Sequence, residues 1–182
     1  MFKGLNILDE KDERLRVKCE DVIFPMSKED KKLIQKMIDH LTYSQIEDLS
    51  IKYDLRPGMG LAAPQLGINK NFFVVVHEYE EGKFNNYVII NPKIVSHSEE
   101  LIYASTGEGC LSVNRDVEGI VPRYARIRIE GFDEQGNPVQ FRGREELAIA
   151  FQHEYDHLNG ILFYDRINKD DPFKDSDKMR MI

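Results

Sequence analysis

Two histidines four residues apart, His153 and His157, constrain this chain more than any other feature. They belong to the run Phe151-Gln-His-Glu-Tyr-Asp-His-Leu-Asn-Gly160. On an α-helix, positions i and i+4 lie on one face about one turn apart, so both imidazoles can reach one metal ion. Glu154 projects beside them, where a carboxylate can act as a general base toward water held on that ion. A hydrolytic metal site is the first reading, and the third ligand decides its kind.

A catalytic site of this type has three protein ligands and one open position. In many helix-motif metalloproteases the third ligand is a downstream Glu or His. The 25 residues after His157 contain neither. Gly160 fits the extended metzincin pattern, but Phe163 stands where that pattern requires its third His. Asp165 is one alternative. The stronger candidate is Cys110, within Gly107-Glu-Gly-Cys-Leu-Ser112. Its thiolate would complete a Cys-His-His set and leave a position open. The blander reading of Cys110 as a small buried hydrophobe loses ground because downstream donors are missing.

Gly58-Met-Gly-Leu-Ala-Ala-Pro-Gln65 has the glycine spacing of a dinucleotide loop, but Pro57 precedes it and Pro64 interrupts any following helix. Local physics favours a plain tight turn. The functional alternative is a backbone edge that pairs with an extended peptide, followed by a glutamine amide facing the metal.

The frame around these segments reads as one α+β domain: mixed and antiparallel strands surround a central metal-binding helix, with an N-terminal amphipathic helix added. Its extent is residues 1–182, with a core of about 5–167 and a C-terminal tail at 168–182. Ser27 and Asp30 form a capping-box signal, and Leu33, Ile34, Met37, Ile38 and Leu41 keep helical spacing, which predicts a helix from Lys28 to Leu49. Gln45 to Pro57 reads as a loop. Strand-type runs follow at 72–76, 87–90, 93–95, 101–104, 126–132 and 139–142, with a hairpin turn at 133–138. The motif helix is expected over Arg144–Asn159, closed by Gly160. Phe72, Phe73, Tyr87, Phe132 and Phe151 read as core. His40, His77 and His97 lack ligand spacing.

The net charge of −7 argues against bulk nucleic-acid or anionic-membrane binding. No apolar run approaches the ~20 residues of a membrane span. Two cysteines and no secretion signal point to a reducing cytoplasm.

Gly58–Gln65, Glu108–Ser112 and Gln152–His157 together resemble the three signature motifs of the peptide deformylase family, in order and in rough spacing. The polar stretch before Gly58 and the Val-Asn-Arg-Asp run after Ser112 look like its longer, Gram-positive-type branch. The resemblance covers roughly the first helix to Ile167. It implies hydrolysis of the N-formyl group from formylmethionyl nascent polypeptides, with release of formate. By position it makes Cys110, His153 and His157 ligands of one divalent metal, natively Fe2+, with Zn2+, Ni2+ or Co2+ able to substitute. Glu154 becomes the catalytic acid/base, Gln65 and the Leu111 backbone N–H the oxyanion donors, and the Gly60 backbone a partner of the substrate. Ile149 and Ala150, with Leu111, are expected to line the methionine pocket. Glu146 departs from the family, which more often has a bulky apolar or aromatic residue there. An ion pair of Glu108 with Arg123 is expected to orient the cysteine loop. Expected partners are nascent chains and the ribosome, with no direct DNA binding, no membrane and a monomeric state. The competing readings are a metalloprotease-like hydrolase with another third ligand, and a non-catalytic metal-stabilised module.

Overall fold

The Ser27 hydroxyl accepts the Asp30 N–H at 3.1 Å and starts the first helix in the computed structural model, which describes residues 2–182. This helix, α1, runs Lys28–Ser44 and buries Ile34, Met37 and Leu41 completely. It stops short of the expected Leu49. The Gln45 side chain donates to the Leu41 and Val76 carbonyls at 3.2 and 3.0 Å, and Ile46 turns extended. The expected loop instead contains a second helix, α2 (Glu47–Tyr53). Its first-turn Glu47 and Asp48 suit a helix N-terminus, and it buries no residue.

Strands β1 (Gly60–Ala62), β2 (Phe72–Glu80), β3 (Lys83–His97), β4 (Leu101–Tyr103), β5 (Arg123–Tyr124), β6 (Arg126–Phe132) and β7 (Pro138–Arg144) follow, then helix α3 (Glu145–Leu158) and a short β8 (Arg180–Met181). Five strands pair antiparallel in the order β1-β2-β3-β6-β7. A second sheet has the order β5-β4-β8, with β4 and β8 parallel. The two runs expected at 87–90 and 93–95 are one 15-residue strand. The Asn91-Pro92 interruption is absorbed by a register shift between Ile90 and Lys93, a bulge that accommodates the missing proline donor.

The continuous apolar run of β2 follows from its position. Phe73 and Val75 pack with Phe151 and Ala148 of α3, whereas Phe72, Val74 and Val76 pack with Ile34, Met37 and Leu41 of α1. Both faces of the strand are buried, so the usual polar alternation is absent. Phe132 differs from expectation: it lies at the hairpin end of β6, is 38% exposed, and packs against Phe24 with ring centroids 5.6 Å apart. The 168–182 segment ends by pairing β8 with β4, and the Ser105 N–H donates to the Ile182 carbonyl at 2.8 Å. Among the described residues, no helix is long and apolar enough to cross a membrane.

Candidate active site

Helix α3 buries His153 and His157 one turn apart, with ring centroids separated by 5.1 Å. Cys110 comes from the irregular chain between β4 and β5. Its sulfur lies 3.3 Å from His157 Nε2. One donor atom from each of Cys110, His153 and His157 falls within 4.8 Å of the others, and no fourth Cys, His, Asp or Glu joins this group among the described residues. A thiolate and two imidazoles suit a divalent transition metal, and three converging donors with no fourth leave room for a reactant. The residues present therefore fit a catalytic ion better than a closed structural one. Asp165 is engaged elsewhere: its carboxylate accepts the Leu162 N–H at 2.8 Å and pairs with Arg16. The downstream-ligand alternative has no support in this geometry.

Polar contacts, not regular structure, hold the cysteine segment. Glu10 N–H donates to the Ser112 carbonyl at 2.8 Å, and Arg56 donates to the Cys110 carbonyl and, at 2.7 Å, to Asn114 Oδ1. The Ser112 N–H points at the Cys110 sulfur, 3.4 Å away. The expected Glu108–Arg123 pair is present as a two-pronged contact of 2.7 and 2.9 Å. Glu108 Oε2 also lies 2.9 Å from His153 Nδ1. Burial works against the Glu108 charge, but Arg123 and then His153 outweigh it and hold its pKa down to about 2.

Two neighbours are not predicted by the sequence. Asp156, inside the histidine motif, takes Arg123 Nη1 at 2.6 Å and also pairs with Arg166. The Ser112 hydroxyl accepts from Gln65 Nε2 at 3.1 Å. Spacing holds one clue to Asp156, which follows His153 by three positions and so shares its side of the helix. Ser112 closes the Glu108–Ser112 motif, but nothing local assigns its hydroxyl to Gln65.

Gln65 sits just after β1 and is fully buried. Its Oε1 accepts the Ala62 N–H at 2.9 Å, while Nε2 points toward Ser112 Oγ and toward the Cys110 sulfur 3.6 Å away. Both ends of the amide are thereby assigned. The Gly58–Gln65 segment is a strand followed by a turn of 3-10 helix, so the local preference for a plain turn gives way to the edge-strand alternative. β1 is the terminal strand of its sheet. A side chain at Gly60 would overlap the Glu154 carboxylate, so only glycine lets this edge approach α3 so closely.

Glu154 is 3% exposed, and its Oε2 has no hydrogen-bond partner. Burial pushes its pKa up to about 7. Burial, and then the neighbouring His153, push the His157 pKa well below the ordinary value. Glu154 and His153 open onto a cleft of about 1200 Å³. Gly60, Leu111, Ile149 and Ala150 line it together with Cys110, Gln65, His153 and Glu154, so every expected site residue borders one cavity or the metal cluster. Glu146 is at its rim, with Oε2 4.0 Å from His77 Nε2.

The chain matches the family model described as polypeptide deformylase over residues 5–173. It is 50% identical over 174 residues to "Peptide deformylase 2" of Geobacillus stearothermophilus, covering 96% of this chain and 95% of that protein. It is 45% identical over 182 residues to "Peptide deformylase 2" of Bacillus cereus, covering 100% and 99%. Among solved structures, a plant peptide deformylase superposes with a TM-score of 0.76 at 31% identity, covering 96% of this chain and 86% of that one. The peptide deformylase of Thermotoga maritima gives 0.71 at 33%, covering 91% and 98%. With the Cys-His-His cluster in place and the match running nearly end to end, the chain belongs to the polypeptide deformylase family.

Proposed function

We propose a division of labour among the site residues for the reaction that family membership gives this chain, hydrolytic removal of the N-formyl group from formylmethionyl nascent polypeptides. Cys110, His153 and His157 would hold one divalent metal; their convergence within 4.8 Å is the observation that carries the reading. Such an ion supplies Lewis-acid polarisation and brings the pKa of a coordinated water from about 15.7 toward 7.

Glu154 removes a proton from the attacking water and returns it to the leaving nitrogen as the carbonyl carbon–nitrogen bond breaks, releasing formate and a free amine. Its support is a buried carboxylate oxygen with no protein partner and a pKa raised toward neutrality. Gln65 Nε2, aimed by Ser112 and Ala62, donates to the oxyanion together with the Leu111 N–H. The open edge of β1 at Gly60 pairs with the substrate backbone. Ile149, Ala150 and Leu111 form the apolar recess for methionine.

Ferrous iron is the ion assigned by family resemblance, with Zn2+, Ni2+ or Co2+ able to use the same donors. The same reading makes the protein a cytoplasmic monomer that works beside the ribosome. The two free, buried cysteines fit a reducing compartment. The deciding experiment is formate release from a formyl-Met peptide by protein purified anaerobically, with elemental analysis. Glu154→Ala is expected to keep the metal and lose turnover. Cys110→Ala is expected to lose the metal. Retained turnover in the first, or unchanged metal content in the second, refutes the assigned roles.

A further inference from the structure

The solvent face of β6 and β7 carries a ladder of arginines. In the antiparallel register Arg126 lies opposite Arg144, and Arg128 opposite Arg142, so four guanidinium groups share one face. With Ser96, His97 and Ser98 they line a groove of about 320 Å³. Like charges placed directly opposite destabilise a sheet, and two such rungs in succession have no explanation in the fold itself. Arg126 is offset by Glu100 at 2.8 Å. Among the described residues, Arg128, Arg142 and Arg144 form no ion pair within 4.0 Å. Arg128 Nε is buried and lacks a hydrogen-bond partner. Glu130, the next residue on this face of β6, already accepts from Gln140 at 2.6 Å.

We propose that this ladder docks the phosphate backbone of an RNA. The rungs repeat every second residue, about 6.6–6.8 Å along the strands, which suits a run of regularly spaced anions better than one isolated anion. Guanidinium forks match phosphate oxygens in bidentate fashion. The one aromatic ring lining the groove, His97, already has a face stacked on Tyr124 with ring centroids 3.7 Å apart, so contacts here favour backbone over sequence. The choice of RNA over other polyanions rests on the nascent-chain substrate of the proposed function, because RNA is the polyanion that surrounds protein synthesis. The ladder also reaches the cleft. Arg126 pairs with Glu100, Glu100 with Arg180 at 2.8 Å, and Arg180 with Glu145 at 2.6 Å, and Glu145 and Ile182 line the cleft. An RNA held here lies beside the site's mouth. The overall charge of −7 argues against broad attraction to nucleic acid, so the attraction is assigned to this local cluster.

The test is fluorescence anisotropy of a labelled oligouridylate of about 20 nucleotides, titrated with holoenzyme from about 50 to 200 mM salt. Wild-type binding is expected to weaken steeply with salt. Arg128→Gln/Arg142→Gln should bind at least about tenfold more weakly at low salt, with the slope of log K against log salt shallower by about 1.4, or about 0.7 for each phosphate that is no longer neutralised. Its formate release from a short formyl-Met peptide should stay within about twofold, and its Tm should not fall, since a like-charge rung has been removed. The exposed single variant Arg142→Gln should show half the slope change, and it decides the matter if the double variant misfolds. No wild-type binding at low salt, an unchanged slope in the variants, or displacement of the RNA by poly-glutamate at equal concentration would overturn the proposal. Because binding is read without turnover, it can fail while the deformylase assignment stands, and the reverse.

Discussion

Glu108 Oε2 lies 2.9 Å from His153 Nδ1, so the loop that presents the Cys110 sulfur also fixes the ring presenting a second donor. Arg123 grips the same carboxylate and, through Asp156, the helix carrying both histidines. The ligand set is therefore oriented from behind by one buried charge cluster.

Glu108→Gln keeps the shape of this carboxylate and removes its charge. Metal affinity is expected to fall about 10–100-fold, as it does when a carboxylate supporting a ligating histidine is removed. A chelator competition measures it, and unchanged affinity would show that Glu108 does not orient the ring.

Ser112 aims the Gln65 amide, and removing the hydroxyl frees the amide to turn. Gln65→Ala should cost roughly 10²–10³ in kcat, the usual loss for one oxyanion donor. Ser112→Ala should cost less and should also lower kcat more than it raises KM, because the fault is in a donor that matters most in the transition state. Steady-state kinetics on a formyl-Met peptide separate these outcomes; a pure KM effect from Ser112→Ala would place its role in binding.

Gly60→Ala puts a methyl group into the space of the Glu154 carboxylate. The expected result is a folded protein with normal metal content and a kcat/KM lowered at least about tenfold, comparable to other small misplacements of a catalytic group. Wild-type kinetics in this variant would mean that β1 and α3 can separate at no cost.

Much of this arrangement is written locally, and what is not depends on distant partners. His153, Glu154 and His157 follow from helical period alone, and the lack of any later Glu or His points to Cys110. The apolar run of β2 is legible as a strand, although only the structure shows that both its faces are covered, by α1 and α3. A helix over Lys28–Leu49 overshoots because Ile46, an apolar residue in a helical rhythm, takes an extended conformation stabilised by Gln45 reaching across to Val76. The split at Asn91-Pro92 is likewise a fair local inference that a bulge against β6 overrides. The hydroxyl contact of Ser112 and the strand β8 carry no local signal, since their partners, Gln65 and β4, lie 47 and about 80 residues away in sequence.

His40 provides a probe of the fold away from the cleft. It is 4% exposed, its Nδ1 accepts the Leu5 N–H at 3.1 Å, and burial lowers its pKa from the ordinary 6.5. The folded state therefore binds a proton less readily than the unfolded chain. Its contribution to stability is complete above pH 6.5 and is lost as pH falls from there through the lowered folded value. His40→Asn retains an acceptor without a titrating ring and should flatten that part of the stability profile. Chemical denaturation at a series of pH values checks this; identical profiles for the two proteins would reassign the acid sensitivity to other groups.

A terminal strand such as β1 presents amide groups, which every polypeptide shares, and no side-chain template. On the proposed pairing, a client would be held along it chiefly through its backbone amides, the part common to all chains. On the same proposal, discrimination would fall to the apolar recess of Ile149, Ala150 and Leu111 and to the small acyl group beside Gln65. A catalyst built this way can serve a whole proteome with one fold, needing no consensus in its clients beyond how they begin.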